Sequence, residues 1–328
     1  MASIERRRNP DPYSVSSLDA TEREIQSQVV ELVSFAASLD REDNYRRFDP
    51  AKFVFTGSGD SFASSLYAHY LSGGQSLAVD PYELLLSKSL AKNRILFITS
   101  VSGRTKANIQ LAKLTRRLAR KRIAVTSEPD SLLAQECDET IQIRFRKSRI
   151  LTAGTASFTA SLLALASQIR RLPEMDGLAA RYSQMARWGL KNRNFTNEGF
   201  LFVGSGIGYA LAAYGANKFH EILGQSADFE HTEQFGHSKL FGVEKATNII
   251  CLSSPRDLKT TYLSRALSRN GFHCQVMKGN STDGVIWGLE AAFAIQNLVV
   301  SEAKKRGLTD CTFLRDRRRL RLSSQLIY

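Results

Sequence analysis

The sequence repeats one pattern, FVFTGSGDSFASSLYAHYL at residues 53–71 and FLFVGSGIGYALAAYGANKF at residues 200–219. In each copy a short apolar run leads into a Gly-Ser-Gly turn and then into an apolar stretch with helical spacing. A strand, a tight turn and a helix in this order form a βα unit, and its duplication indicates two similar halves. The repeat therefore predicts an α/β fold of two tandem, doubly wound, flavodoxin-like parallel sheets.

The first half contains a second strand–turn–helix unit that carries three hydroxyl side chains. Residues 95–99 are apolar and β-branched, which is typical of a buried parallel strand, and the turn Ser100–Thr105 follows. Backbone N–H groups and the positive end of a helix meet these hydroxyls, which is favourable for binding a phosphate. An ordinary βα turn with hydroxyl N-caps fits the same residues, so both interpretations stay open for this segment alone. The segment matches neither G-x-x-x-x-G-K-[ST] nor G-x-G-x-x-G.

Alternation of strands and helices continues along the chain and predicts four regions. They are an N-terminal arm and helix at 1–45, a first domain at 46–180, a second domain at 181–306 and a tail at 307–328 that covers the site. Predicted strands are 52–56, 77–79, 95–99, 123–126, 140–144, 199–203, 248–252 and 274–277. Predicted helices include 18–39, 62–71, 81–87, 131–137, 158–169, 209–223 and 291–305, and residues 181–193 are expected to link the halves. Ligands of such sheets bind at the carboxyl ends of the strands, where both Ser-containing turns lie.

Composition narrows the function classes. The chain has 328 residues and a net charge of +13, with basic clusters at 6–8, 116–122, 144–149 and 315–321. No nucleic-acid-binding signature accompanies these charges, so they favour an anionic small molecule over a nucleic acid. The four cysteines lack metal-binding spacing, and we expect no metal and no cofactor. No apolar run of transmembrane length and no signal peptide are recognised, so we expect a cytoplasmic protein without a membrane partner.

Several motifs together resemble the sugar isomerase (SIS) family in its two-domain form. They are the turn at 57–61, the S-x-S-G-x-T turn at 100–105, the loop at 152–155 and the segment 215–221 followed by Gly236-His237. The likeness covers about residues 20 to 310 and is greatest to the isomerase half of glucosamine-6-phosphate synthase and to stand-alone glucosamine-6-phosphate deaminases. No glutaminase domain is expected before it, so ammonia from glutamine is not expected either.

The resemblance implies specific ligand contacts. Phosphate binding is expected at Ser61, Ser100, Ser102 and Thr105, and at the backbone N–H groups of Val101 and Gly103. Sugar binding is expected around Gly59, Gly154, Thr155 and Arg319. Gly154 stands where the family has a serine, which removes one hydroxyl contact. The family also carries a lysine near the C-terminus, whereas residues 314–328 contain arginines and no lysine. Whether Arg319 or Arg321 takes its place stays open, and arginine does not readily form a Schiff base.

The resemblance further implies that Glu221 is the catalytic base and that His237 opens the sugar ring. A carboxylate with a tuned pKa can move a proton between C2 and C1 of a sugar phosphate, and histidine titrates in the range needed for ring opening. In the family the histidine enters the site of the other subunit, which implies a homodimer. Taken alone, Glu221 fits a solvated helix residue or an ion-pair partner of Lys218, and His237 fits an ordinary loop histidine.

The residues and the resemblance together predict a sugar phosphate as the ligand. The first hypothesis is an isomerase or deaminase (a hydrolase releasing ammonia) acting on a hexose 6-phosphate, glucosamine 6-phosphate in particular. The second is a phosphoglucose/phosphomannose isomerase. The third is a regulator that binds a sugar phosphate without catalysis, an interpretation favoured by the missing tail lysine and the basic surface.

Overall fold

The computed structural model describes residues 15–39, 45–191 and 194–328 and has an α/β fold with two parallel sheets. Its strands are β1 (Phe53–Gly57), β2 (Leu77–Ala78), β3 (Ile95–Thr99), β4 (Lys121–Thr126), β5 (Glu139–Gln142), β6 (Phe200–Gly204), β7 (Ala227–His231), β8 (Asn248–Ser253) and β9 (Cys274–Lys278). The first sheet has the order β2-β1-β3-β4-β5 and the second the order β7-β6-β8-β9. In each sheet the second strand in chain order lies on one side of the first strand (β1 or β6) and the third strand lies on the other side. Such a reversal of strand order creates a ligand-binding crevice.

Helices connect the strands and cover the sheets. They are α1 (Ser17–Leu39), α2 (Asp60–Leu71), α3 (Pro81–Leu86), α4 (Lys106–Leu114), α5 (Leu132–Glu136), α6 (Ala156–Ile169), α7 (Leu178–Lys191), α8 (Ile207–Lys218), α9 (Thr232–Gln234), α10 (Leu240–Gly242), α11 (Leu258–Arg269), α12 (Gly284–Lys305), α13 (Thr312–Arg315) and α14 (Arg317–Ile327). Two π-helical turns, Phe219–Leu223 and Phe235–Lys239, follow α8 and α9. The first of these turns carries Glu221 and the second carries His237, so both predicted catalytic side chains stand on irregular helix.

One large hydrophobic core serves both sheets. Successive strand residues point to opposite faces, so Phe53 and Phe55 of β1 join the large core while Val54 joins a smaller core on the other face. Phe200 and Phe202 of β6 enter the same large core from the second sheet. Helices α2, α6, α8 and α12 pack against one another and contribute to it. Because the halves share this core, the predicted division into tandem domains at residue 180 stays a prediction.

Several predicted elements differ from the structure. Strand β7 was missed because its residues ADFEH are mostly polar, which an edge strand paired on one side tolerates. The predicted link at 181–193 is largely helix α7, whose buried residues pack on α12. Helix α12 starts at Gly284 rather than at 291, because Asp283 accepts hydrogen bonds from the N–H groups of its first turn. Residues 1–14, 40–44 and 192–193, which belong to the predicted arm, connection and link, lie outside the described residues.

Helix α12 is long and apolar enough to cross a membrane by length and composition, although the sequence pattern had suggested no such run. Of its apolar window, 89% is buried inside the protein. The buried polar residues Glu290 and Gln296 interrupt the apolar pattern, and Arg181 of α7 pairs with Glu290 at 2.6 Å. The helix therefore serves as the central core helix of this fold.

Candidate functional site

A cavity of about 530 Å³ lies at the carboxyl ends of β1 and β3, where the strand order of the first sheet reverses. The turns after both strands and the loop before α6 form its walls. Thr99, at the end of β3, also lines it, and its buried hydroxyl has no hydrogen-bond partner among the described residues. The residues that were predicted from the sequence and that line this cavity are Gly59, Ser61, Ser100, Val101, Ser102, Thr105 and Gly154.

The turn after β3 gathers hydroxyl groups at the cavity. The Oγ of Ser100 lies 3.2 Å from the Oγ1 of Thr105, and the Oγ of Ser102 accepts a hydrogen bond from the N–H of Arg104 at 3.4 Å. Gly103 has a φ of +61°, which favours glycine, and its N–H donates to the carbonyl of Ser100 at 2.9 Å. This N–H is therefore engaged within the turn, and Gly103 shapes the turn without lining the cavity.

The helices that follow the two turns begin without side-chain caps. Neither Gly59 before α2 nor Thr105 before α4 makes a capping hydrogen bond, whereas Asp80, Asp257 and Asp283 cap α3, α11 and α12. The ordinary-turn interpretation, in which a hydroxyl caps the helix, thus does not describe Thr105. In α2 the N–H groups of Ser61 and Phe62 donate to the carbonyls of Ser58 and Gly59 at 3.1 and 2.9 Å. The positive ends of α2 and α4 nevertheless meet at the cavity, and this favours an anion.

A buried lysine connects the cavity with Glu221. The Nζ of Lys218 lies 2.7 Å from the Oδ2 of Asp60 and pairs with the Oε2 of Glu221, and the lysine is fully buried. Asp60 lines the cavity and also accepts a hydrogen bond from Asn217 at 3.2 Å. Glu221 keeps 38% of its side chain exposed and does not itself line the cavity. The predicted base is therefore connected to the cavity wall through Lys218, which pairs with both Glu221 and Asp60.

Burial and the neighbouring charges shift the pKa values of Glu221 and Lys218. Desolvation raises the pKa of Glu221 above the ordinary 4.5, although the Lys218 ammonium opposes the shift. Desolvation alone would lower the pKa of Lys218, but the carboxylates of Asp60 and Glu221 outweigh it and hold that pKa above 10.5. Lys218 is therefore an ammonium at neutral pH. A carboxylate whose pKa is raised toward neutrality is the better proton acceptor.

The loop before α6 is held by the carboxylate of Glu24 on α1. The hydroxyl of Thr155 donates to the Oε1 of Glu24 at 2.5 Å, and the N–H of Ala156 donates to the same oxygen at 3.0 Å. The hydroxyl of Thr152 donates to the Oε2 at 2.7 Å. Thr155, predicted to bind sugar, is fully buried in this network and does not line the cavity, whereas Glu24 does.

Gly154 keeps the carboxylate of Asp60 open to the cavity. A Cβ at this position would lie 3.0 Å from the Oδ2 of Asp60, 3.3 Å from the Oγ of Ser157 and 3.8 Å from the Nζ of Lys218. The hydroxyl of Tyr214 donates to the carbonyl of Gly154 at 3.2 Å and fixes the loop. The missing side chain therefore leaves room for a ligand group next to Asp60.

The structure adds lining residues that the sequence reasoning missed. Lys147 reaches over the cavity, where it pairs with Glu128 and donates to the carbonyl of Ser127 at 3.4 Å. Ile327 and Tyr328, at the end of α14, also line the cavity. The signal for Lys147 was the basic cluster at 144–149, because it follows β5 directly and so lies at the carboxyl edge of the sheet.

Two predicted residues are not brought to this cavity within one chain. His237 is 70% exposed, and its Nε2 lies 3.3 Å from the Oε1 of Glu233. Arg319 on α14 is exposed and pairs with Asp316, with the Nε 3.2 Å from the Oδ2. Arg321, the other candidate for the missing lysine, is also exposed and does not line the cavity.

In residues 15–39, 45–191 and 194–328, no group of three or more His, Cys, Asp or Glu side chains is arranged to hold a metal ion. All four cysteines are free thiols. Two of them, Cys251 of β8 and Cys274 of β9, have their sulfur atoms 3.7 Å apart. Burial and this contact together raise the pKa of the Cys251 thiol well above 9.0, so neither observation indicates a reactive thiolate.

A known family model matches part of the first half of the chain. Residues 49–169 match the family model of the SIS domain. This segment runs from the start of β1 to the end of α6, so it contains the first sheet, the S-x-S-G-x-T turn and the loop at 152–155. The second sheet lies outside the matched segment, which leaves the two-domain form of the family a prediction.

A curated relative is the isomerizing glutamine–fructose-6-phosphate aminotransferase of Caldanaerobacter subterraneus, which is 26% identical over 199 residues. The alignment covers 53% of this chain and 32% of the relative, so the chain matches about a third of that protein's length.

Solved structures share the fold over most of the chain. A glucosamine-6-phosphate deaminase from Thermotoga maritima has a TM-score of 0.69 and 21% identity, with 88% of this chain and 96% of that chain covered. The C-terminal domain of glucosamine-fructose-6-phosphate aminotransferase from Francisella tularensis has a TM-score of 0.67 and 15% identity, with 92% and 99% covered. The fold of these proteins is therefore shared over about nine-tenths of this chain.

Proposed function

We propose that this protein binds a hexose 6-phosphate in the cavity of the first sheet and moves a proton along its carbon chain, with glucosamine 6-phosphate as the substrate and ammonia as a product. One observation carries the proposal. Two uncapped helix ends and a hydroxyl-rich turn line the same cavity as Asp60, whose partner Lys218 holds Glu221. The first group of features suits a phosphate and the second suits proton transfer. The fold shared with a glucosamine-6-phosphate deaminase supports this combination.

The phosphate anchors the substrate in this proposal. Ser61, Ser100, Ser102 and Thr105 donate hydroxyl hydrogen bonds to its oxygens, and the positive ends of α2 and α4 face the same charge. Lys147 adds an ammonium group from the other side. Fixing the phosphate places the carbon chain toward Asp60 and Gly154, because these residues line the same cavity.

The proposed reaction conserves atoms without a redox partner. After ring opening, Glu221 takes the proton from C2 of the aldehyde form while the C2 ammonium group gives one proton to O1 through water, and a neutral enolamine results. The protonated Glu221 returns that proton to C1, which leaves an iminium group at C2. Water then adds to C2, and ammonia leaves with formation of fructose 6-phosphate. The raised pKa of Glu221 suits both the uptake and the return of the proton.

An amino sugar fits the surroundings of Asp60. Its carboxylate faces the cavity beside the space that Gly154 leaves open. A protonated amino group at C2 gains a charge-assisted hydrogen bond to such a carboxylate, whereas a C2 hydroxyl gains a weaker one. Replacing Asp60 by Asn should therefore weaken the binding of glucosamine 6-phosphate more than that of glucose 6-phosphate, measured as the ratio of the two dissociation constants.

We further propose that the protein acts as a cytoplasmic homodimer in which His237 completes the site of the partner. Within one chain this histidine is exposed and remote from the cavity lining. Exposed apolar side chains accompany it, namely Phe241, Leu258 and Tyr262, and the ion pair of Glu233 with Lys259 joins the segments that carry them. Apolar side chains exposed together favour an interface.

Replacing Glu221 by Gln tests the base directly. The variant should lose turnover of glucosamine 6-phosphate, followed as ammonia and as fructose 6-phosphate, while its dissociation constant for the substrate stays within about threefold of wild type. A variant with full activity would refute the assignment. Formation of fructose 6-phosphate from glucose 6-phosphate, without ammonia release from the amino sugar, would instead indicate a phosphoglucose isomerase.

Mixed dimers test the role of His237 in the partner's site. Glu221→Gln and His237→Asn homodimers should both be inactive, since each lacks one catalytic group in every site. A heterodimer of the two variants contains one complete site if the histidine acts across the interface, so it should show about half of the wild-type activity. An inactive heterodimer, or a monomer in light scattering, would contradict the proposal.

A regulator without catalysis is a second candidate function. It is favoured by the position of Glu221 outside the cavity lining and by the exposed positions of Arg319 and Arg321. Such a protein would be stabilised thermally by a hexose 6-phosphate and would turn over none of a panel of hexose phosphates. Ligand-dependent stabilisation together with ammonia release favours the enzyme instead.

A further inference from the structure

A second cavity, of about 470 Å³, lies at the carboxyl end of the second sheet. Its walls come from the turn after β6, the turn after β8 and the residues before α12, and Tyr70 with Gly73 and Gly74 closes it from the end of α2. The cavity stands where the strand order of the second sheet reverses beside β6, which corresponds to the place of the first cavity in its own sheet.

The turn after β6 copies the backbone of the turn after β1. Gly206 has φ 56° and ψ −127°, and Gly59 has φ 59° and ψ −124°. The N–H groups of Gly208 and Tyr209 donate to the carbonyls of Ser205 and Gly206 at 2.9 and 3.0 Å, so α8 presents its positive end to the cavity rather than a row of free N–H groups. Gly208 sits tightly against β8, since a Cβ there would lie 2.8 Å from the carbonyl oxygen of Leu252. The two copies of the repeat therefore form turns with the same backbone conformation, each in the wall of a cavity.

Among the described residues that line the second cavity, the charged side chain is a basic one, Arg256. Arg256 lines it, and the structure gives this guanidinium no ion pair within the described chain. The carboxylates next to the cavity are engaged elsewhere: Asp257 caps α11, and Asp283 caps α12 and pairs with Arg170 at 2.8 Å. The first cavity, in contrast, is lined by three carboxylates besides Lys147. The second cavity is therefore the more positive of the two.

Polar donors complete the second cavity. Hydroxyl groups of Ser205, Ser254, Ser281 and Thr282 stand on its walls. Trp287 is only 1% exposed and forms part of the wall, and its indole N–H is buried without a hydrogen-bond partner among the described residues. This nitrogen lies against Gly279, where a Cβ would be 1.9 Å from it and which does not line the cavity, whereas the opposite edge of the indole lies near Gly208, which does. The indole is therefore an apolar part of the cavity wall.

We propose that this second cavity binds a phosphorylated small molecule through its phosphoryl group. Arg256 pairs with the phosphoryl oxygens, the surrounding hydroxyls donate hydrogen bonds to them, and the positive end of α8 faces their charge. Inorganic phosphate and a sugar phosphate share this chemistry, and the experiment distinguishes them. The site does not depend on the proposed reaction in the first cavity.

Tryptophan fluorescence offers a local readout, because the chain has only two tryptophans, Trp188 and Trp287. In a Trp188→Phe background, Trp287 is the single emitter and stands in the wall of the second cavity. Titrations use inorganic phosphate, glucosamine 6-phosphate and glucosamine at constant ionic strength. We expect a saturable change in emission with one or both phosphorylated probes and none with glucosamine. A response to glucosamine 6-phosphate alone identifies a sugar phosphate, and equal responses identify the phosphoryl group as sufficient.

Variants assign the signal to one cavity. Arg256→Gln should weaken the response at least tenfold, whereas Arg265→Gln, an equal charge change on the exposed face of α11, should leave it unchanged. Ser100→Ala with Ser102→Ala, which removes hydroxyls from the first cavity, should also leave it unchanged. No emission change, or a change abolished by the serine variants and retained in Arg256→Gln, would overturn the proposal. If Trp188→Phe does not fold, calorimetry of the otherwise unmodified protein with the same three probes answers the same question. One binding site per chain for a phosphorylated probe should be lost in Arg256→Gln and kept in Arg265→Gln, and an unchanged stoichiometry in Arg256→Gln would overturn the proposal.

Discussion

Replacing Lys218 by Met removes the positive charge between two carboxylates and keeps the length of the side chain. The lysine is fully buried, whereas the side chains of Asp60 and Glu221 are 20% and 38% exposed. Removing one partner of a fully buried ion pair costs about 3–5 kcal/mol of unfolding free energy. Because water reaches both carboxylates in part, we expect about 2–4 kcal/mol here. At about 1.5 °C per kcal/mol for a chain of this length, Tm should fall by about 3–6 °C.

Neutralising the two carboxylates should restore most of that loss. Asp60→Asn and Glu221→Gln in the Lys218→Met background remove the uncompensated charges, so the triple variant should unfold within about 1 kcal/mol of wild type. Lys245→Met, at an exposed lysine, serves as the control and should change stability by less than about 0.5 kcal/mol. The assay is thermal and urea unfolding followed by circular dichroism.

The loss should also depend on pH. Desolvation already raises the pKa of Glu221 in the folded protein, and without the opposing Lys218 ammonium this pKa rises further above its value in the unfolded chain. Groups with raised pKa values favour the folded state at low pH and lose that contribution as the pH rises through the folded pKa. The deficit of Lys218→Met should therefore be smaller at pH 5 than at pH 8. A deficit below about 1 kcal/mol at pH 8, or one that persists in the triple variant, would refute the view that this lysine compensates two partly buried charges.

Three further outcomes are expected. If Glu221 is the base, kcat/KM should fall on acidification with a midpoint above pH 4.5, because desolvation raises the pKa of Glu221 and a protonated carboxyl cannot accept a proton. A kcat/KM that stays constant down to pH 4.5 would contradict the assignment of Glu221 as the base. Gly103→Ala should weaken the binding of fructose 6-phosphate at least tenfold in calorimetry, since a Cβ would lie 2.0 Å from the Oγ of Ser131. Adding Ser131→Gly to this variant should recover part of the lost affinity. Equal affinity in the wild type, the single variant and the double variant would exclude the clash. Glu24→Gln should lower stability by about 1–3 kcal/mol in urea unfolding, because three donors lose a charged acceptor, and an unchanged midpoint would show that the loop does not need it.

The sequence predicted those parts of the fold whose signal is local. The strand at 95–99 matches β3, because a β-branched apolar run between polar turns allows one assignment. The duplicated glycine turns follow β1 and β6, since a strand that passes into a helix over two residues requires glycine there. Most of the residues predicted to contact a phosphate line one cavity, because the carboxyl ends of neighbouring parallel strands meet at the same edge.

Features that arise from tertiary packing were not readable in the sequence. Lys218 entered the sequence analysis only as an ion-pair partner of Glu221, a pair that the structure contains. That it is fully buried and also pairs with Asp60 depends on how α8 packs against α2. Thr155 was predicted to bind sugar, but its hydroxyl donates a hydrogen bond to Glu24 of α1, more than a hundred residues away in the chain. The sequence could not reveal this contact either.

The hydrophobic core common to both sheets has a consequence for handling the protein in pieces. A fragment ending near residue 180 would keep most of the lining of the first cavity, without Ile327 and Tyr328. It would leave the faces of α2 and α6 that pack on α8 and α12 in contact with water. Such a fragment should aggregate or stay partly molten, and limited proteolysis of the intact chain between α6 and α7 should leave two pieces that co-purify. Heat should likewise melt both sheets in a single cooperative step, as one folding unit.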